Sequence, residues 1–192
     1  MELLYLFNNS KQKIMNEIIK KNGVTYGAIL GLISIASTTL IYITDIKLFM
    51  SWWIGGISLI LNIVIGIFLV SNTKKQLNNT ISFKDAFSVY FIAGVLGSTV
   101  SALFNYFLFN FIDPQAKETL KEMTIKYTVE MMEKFGTPKE VLNQTIAELQ
   151  KADNYSLENI FMGLLFVYLI VAIFGLILAA IFKSKSPSSQ GL

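Results

Sequence analysis

Polar and apolar residues fall into long separate blocks along this chain. Four predominantly apolar stretches, approximately Val24 to Thr44, Trp52 to Val70, Ala86 to Ile112 and Leu157 to Phe182, carry no Asp, Glu, Lys or Arg in their central regions. A helix rises about 1.5 Å per residue and the hydrocarbon core of a bilayer is about 30 Å thick, so roughly 20 such residues cross it. Each stretch therefore predicts a transmembrane helix, and the third is long enough to tilt or to project from the bilayer.

Lysines flank these stretches unevenly. Lys11, Lys13, Lys20 and Lys21 precede the first, Lys74, Lys75 and Lys84 lie between the second and third, and Lys183 and Lys185 follow the fourth, whereas the link from first to second holds only Lys47, beside Asp45. Lysine-rich sides face the cytoplasm, which puts both termini there. The remaining link, Asp113 to Ser156, carries six lysines but more acids, among them Glu118, Glu122, Glu130, Glu133, Glu140 and Glu148, and helix count places it outside.

That link has helical periodicity. Asp113-Pro114 reads as an N-cap followed by Pro at the first helical position, and Leu120, Met123, Tyr127 and Met131 recur at helical spacing until Gly136. Thr137-Pro138-Lys139-Glu140 reads as a capping box opening a second helix with Val141, Leu142, Ile146 and Leu149 on one face. The expected fold is all-α: four transmembrane helices in a bundle, with an external amphipathic helical hairpin (113–156) between the third and fourth. Residues 1–22 are expected as a cytoplasmic or interfacial amphipathic helix, with Ile14, Met15, Ile18 and Ile19 forming its apolar stripe. The transmembrane domain spans 23–182, and 183–192 form a flexible cytoplasmic tail. Met1 to Phe7 lacks the basic flank and cleavage site of a signal peptide, and Met15 is a second candidate start that keeps all four spans.

Composition narrows the chemistry. Of the 192 residues 53% are hydrophobic and only 15% charged, Cys and His are absent, and all 16 cationic side chains are Lys. Disulfides, the usual zinc, iron–sulfur and haem ligands, the thiol nucleophile and the commonest general acid–base group are thereby excluded. No phosphate-cradling loop or Ser-centred elbow appears, so an enzyme is not expected, nor any cofactor or metal. The lysines are scattered over span ends and one loop, which is no nucleic-acid footprint.

Within the spans, Gly23, Gly27 and Gly31 in the first, and Ala93, Gly97 and Ser101 or Gly94, Ser98 and Ala102 in the third, repeat every four residues. Such rows let helices approach closely, either within the bundle, the reading preferred, or across a homo-oligomer. Asn62 and Asn105 are the most costly polar groups at membrane depth and are read as interhelical hydrogen-bonding residues, with a polar path as the other reading. Asp113, Thr137 and Ser82 are the expected helix caps, with Asp85 near the N-terminus that Ser82 opens.

The whole arrangement resembles a bacterial membrane-protein family known as domain of unknown function 4199. The resemblance rests on Asn22-Gly23-Val24-Thr25-Tyr26-Gly27, on Ile81-Ser82-Phe83-Lys84-Asp85-Ala86-Phe87 opening the third span, on Tyr106 with Ile112-Asp113-Pro114 at its exit, and on the acidic helical insertion before the last span. It covers about residue 16 to residue 184. It implies a shared four-helix plan in a bacterial inner membrane, and no activity or ligand.

The leading functional reading is a non-enzymatic accessory or envelope interaction protein, embedded in the lipid bilayer and recognising a protein partner through residues 115–152. The alternative is a small oligomeric transporter or channel with a polar path including Asn62 and Asn105. A membrane enzyme using only carboxylates and hydroxyls, Asp113 foremost, ranks last.

Overall fold

The computed structural model describes residues 2–184, with side chains from Gln12 onward. Among these residues the secondary structure is entirely helical: α1 Glu2–Thr44, α2 Trp52–Gln76, α3 Phe83–Phe107, α4 Pro114–Lys134, α5 Lys139–Lys151 and α6 Leu157–Phe182. A 3₁₀ turn, Ile46–Met50, links α1 to α2, and a π turn, Leu108–Ile112, extends α3. Four segments are long and apolar enough to cross a membrane: Gln12–Thr44, Trp52–Gln76, Phe83–Ile112 and Leu157–Phe182. Large apolar side chains such as Leu32, Leu40, Ile60, Phe68, Phe166 and Ile181 point outward from them, a surface suited to lipid.

The helix expected before residue 23 and the first span form one continuous helix. α1 runs through Asn22-Gly23 without interruption, Ile19 is buried, and Met15 packs on the core that Ile19 shares with Val70, Ile81 and Val89. The expected tail, from residue 185 on, lies outside the described residues, as does Met1.

α3 is the central helix, packed most extensively on α1 and then on α6. Two different rows of small residues on α3 make this work. Gly97 faces α1, where an added Cβ would stand 2.8 Å from Leu30 Cβ, and the opposing row answers it: a Cβ at Gly23, Gly27 or Gly31 would stand 2.8, 2.9 or 2.7 Å from Ile92, Leu96 or Val100. Gly94 instead faces α6 against Val171, and Gly175 of α6 lies against Tyr90 and Phe87. Hydroxyl pairs follow the same division, Ser34 with Ser101 at 2.6 Å between α1 and α3, and Thr99 with Tyr168 at 2.7 Å between α3 and α6. Interhelical hydrogen bonds of this kind contribute about 0.6 kcal/mol each in a bilayer.

α2 is packed through its second half alone. Gly66 sits beneath Tyr90, and Leu69, Val70 and Thr73 are fully buried, whereas a side chain at Gly55 or Gly56 would meet nothing within 4 Å. The end of α2 is fastened by polar groups: Asn22 Nδ2 donates to Thr73 Oγ1 at 3.0 Å and to Gln76 Oε1 at 3.1 Å, and Lys74 Nζ donates to the Phe182 carbonyl at the end of α6. Asn78 and Asn79 turn the chain in the left-handed region, φ 56 and 61, which Asn tolerates better than most residues. Ile81 and Ser184 then pair through two hydrogen bonds. These contacts gather Lys20, Lys21, Lys74, Lys75, Lys84 and Lys183 at one end of the molecule.

At the other end α4 and α5 form a helical hairpin. Its turn departs from the expected capping box. Gly136, at φ 69, donates to the Glu133 carbonyl, and Thr137 N donates to the Met132 carbonyl, the two bonds of a Schellman motif closing α4. Thr137 is thus committed to the helix behind it. α5 starts two residues later, with Pro138 in extended conformation at its N-cap position and no side-chain cap.

A Leu at Gly27 must displace the α3 backbone, because the Ala93 carbonyl lies 3.0 Å from the Cβ position, whereas Gly163 has nothing within 4 Å. Gly27→Leu is expected to cost about 1–3 kcal/mol and Gly163→Leu less than about 0.5 kcal/mol, measured by unfolding in one detergent. Equal effects would refute the α1–α3 contact as the core interface.

Candidate functional site at the base of the hairpin

The densest polar constellation lies where the hairpin leaves the spans. Leu108 to Ile112 form a π turn, and this one-residue shift in register carries Phe109 inward and leaves Asn110 facing the hairpin. Asn110 Nδ2 donates to the Tyr106 and Tyr155 carbonyls at 3.0 and 2.9 Å, and its Oδ1 accepts from Lys117 Nζ at 3.1 Å. Lys117 also pairs with Asp153 Oδ2 at 3.0 Å, so a single ammonium ties α3, α4 and the start of α6's approach together. Asp113 caps α4 by accepting from Ala116 N at 3.0 Å while its second oxygen accepts from Tyr42 Oη at 2.7 Å. Beneath this lies an aromatic floor in which Phe109 meets Tyr155 at 4.4 Å and Phe49 edge-on at 5.9 Å, with Leu108, Ala116 and Leu120 buried around it.

The electrostatics follow from these partners. The Tyr42 hydroxyl and the Ala116 amide hold the Asp113 carboxyl below the ordinary 3.8. Burial pushes Asp153 upward, but the Lys117 hydrogen bond, the Tyr155 amide and the charges of Lys117 and Lys121 outweigh it and leave the group lowered. Burial pushes the Tyr155 hydroxyl up to about 12, so it stays protonated at neutral pH. A cleft of about 290 Å³ opens beside the floor, walled by Phe49, Met50, Lys121, Thr124 and Tyr155. Of the charged groups that line it, Lys117 and Asp153 are paired with each other. Among the described residues no three carboxylates cluster as metal ligands.

The residues singled out by sequence are dispersed. Asn62 lies on the exposed side of α2 and donates to the Ser58 carbonyl of its own helix, so the expected interhelical bond is absent: the first half of α2 has no neighbour near enough to receive it. Asn105 is half-buried in α3. Gly23, Gly27, Gly31 and Gly97 meet at the α1–α3 contact, while Gly94 serves α6. Ser82 accepts from Asp85 N at 3.1 Å and donates to its carboxylate at 2.6 Å. Asn110, Lys117, Asp153 and Tyr155 escaped the sequence reading, since their contacts join residues up to 45 positions apart. The Asp153-Asn154-Tyr155 break between two helical patterns was the one local signal.

A family model described as Protein of unknown function (DUF4199) matches residues 25–184. The chain belongs to this family. The DUF4199 match begins at Thr25, later than the expected residue 16, and takes in the hairpin and every residue of its base. No curated protein and no solved structure matches the chain.

Since Asp113 and Asp153 both titrate below their ordinary value, the folded DUF4199 chain binds fewer protons than the unfolded one in that range. Their contribution is complete above about pH 4 and is lost as pH falls through the depressed values. Hydrogen exchange, corrected for intrinsic rate, is expected to show α4 and α5 opening as pH falls from about 6 through the depressed values, while α3 stays protected. A hairpin that opens no earlier than α3 over that whole descent would rule out these carboxylates as its fastening.

Proposed function

We propose that this protein is a non-enzymatic interaction protein of a bacterial cytoplasmic membrane, with both termini in the cytoplasm and the α4–α5 hairpin outside as its recognition element. The orientation is supported by the gathering of lysines at the end opposite the hairpin, the charge asymmetry that the positive-inside rule reads.

One observation carries the recognition role: the hairpin is fixed at its base and uncovered beyond it. Ala116 and Leu120 are buried at the root of α4, but Tyr127, Met131 and Phe135 further along are 50, 38 and 80% exposed, and α5 has no buried residue at all. Val141 is likewise exposed at the start of α5. An aromatic and methionine-bearing face held on a rigid joint is what protein recognition uses, since little ordering entropy is lost on binding. A transport path through Asn62 and Asn105 has no such support, because the first amide is satisfied on its own helix at the exposed side of α2.

The absence of Cys makes orientation directly measurable. Phe135→Cys is expected to react with a membrane-impermeant maleimide in intact cells, and Lys75→Cys only after lysis; the reverse pattern would invert the topology. For the role itself, a photocrosslinker at Phe135 should capture one protein stoichiometrically, and Tyr127→Glu with Met131→Glu should abolish capture without altering extraction or unfolding of the spans. Partners that still copurify after deletion of residues 115–152 would refute the hairpin as the recognition element.

A further inference from the structure

At the lysine-rich end a groove of about 390 Å³ separates the outer sides of α1 and α3. Lys20 comes to it from α1 and Lys84 from the first turn of α3, and neither forms an ion pair or a side-chain hydrogen bond among the described residues. Both walls change character in the same direction. On α1, Lys20 gives way one turn deeper to Val24; on α3, Lys84 gives way to Ser88 and then to Ile92. At about 1.5 Å per residue the groove passes from ammonium groups to β-branched side chains over about 6 to 12 Å. Its floor is the close approach of Gly23 to Ile92, which keeps the two helices together beneath the opening. Asp85 also borders the groove, but its carboxylate accepts from Ser82 Oγ and sits in the first turn of α3, where the helix dipole offsets its charge.

We propose that this groove binds one anionic phospholipid, with the phosphate between Lys20 and Lys84, the Ser88 hydroxyl donating to it, and an acyl chain lying along Val24 and Ile92. Two cations from different helices define a point for a phosphate, and the apolar walls continue from that point towards the membrane interior. A basic pocket between spans with this polarity gradient matches an amphiphile and wastes half its lining on a soluble anion. The assignment requires that the chain spans a bilayer and does not depend on the hairpin's role.

The test uses the full chain in detergent, titrated with phosphatidylglycerol or phosphatidylethanolamine of the same chains, with bound lipid counted by native mass spectrometry. One phosphatidylglycerol should bind in preference to phosphatidylethanolamine, with about fivefold weaker affinity in Lys20→Ala and in Lys84→Ala, and no change in Lys75→Ala, whose ammonium lies at the same end outside the groove. Both lysines are exposed, so unfolding in the same detergent should be unchanged. Equal weakening by Lys75→Ala, meaning diffuse surface attraction, would overturn the proposal. So would undiminished binding in the Lys20→Ala, Lys84→Ala double variant, or displacement by glycerophosphoglycerol at concentrations equal to the lipid.

Discussion

The contact on which the rest depends is the backbone approach of α1 to α3. In hydrocarbon, lipid tails are as apolar as leucine, so two spans gain little by hiding apolar surface from each other and must gain by packing more densely than lipid does. Gly23, Gly27 and Gly31 on one helix and Gly97 on the other provide that density by bringing β-branched and leucine side chains onto bare backbone. With α1 placed, α3 still has Gly94 free on a second side, and α6 docks there through Val171 and Gly175. α2 has only Gly66 and the Leu69–Thr73 turn to offer, and accordingly it is held at one end.

Once α3 is central, both of its ends become joints. Its N-terminus is set by Ser82 and Asp85 and by the two hydrogen bonds between Ile81 and Ser184. Its C-terminus overruns into the π turn, which rotates Asn110 towards Lys117 and Phe109 towards Tyr155. A regular α-helix through Ile112 would place these side chains differently, so the irregularity is what allows the hairpin to be fastened by side chains and not by its loops alone.

Much of this was legible from residue order. Helix class and the four apolar spans follow from length and hydropathy, because lipid leaves the backbone no other way to satisfy its hydrogen bonds here. Ser82 and Asp113 accept from amides three residues on, a contact that local sequence specifies. Thr137 illustrates the limit: Gly136 in the left-handed region draws its amide back to Met132, and a pattern suited to starting one helix is used to finish another. Asn62 marks a different limit. A polar residue at membrane depth implies a partner, but α2 meets Tyr90 at Gly66, one turn further along, and Asn62 bonds the Ser58 carbonyl of its own helix. The hairpin base was illegible for a third reason: Lys117, Asn110 and Asp153 meet only after three separate helices are placed.

The two ends are fastened by different chemistry, and this difference bears on what each can do. At the lysine-rich end the fastening is by amides, hydroxyls and carbonyls, Asn22 with Thr73 and Gln76 and Ile81 with Ser184, and the one lysine involved, Lys74, bonds a carbonyl. The ammonium groups of Lys20, Lys21, Lys75, Lys84 and Lys183 are exposed. At the base of the hairpin the ions are engaged, with Lys117 on Asp153 and Asp113 on Tyr42, while further along exposed charges such as Glu130, Glu133 and Lys134 stand beside exposed apolar groups such as Phe135. Side-chain bonding between charged and polar groups is thus concentrated where the hairpin joins the spans, and the far end of the hairpin carries exposed charges and exposed apolar groups side by side.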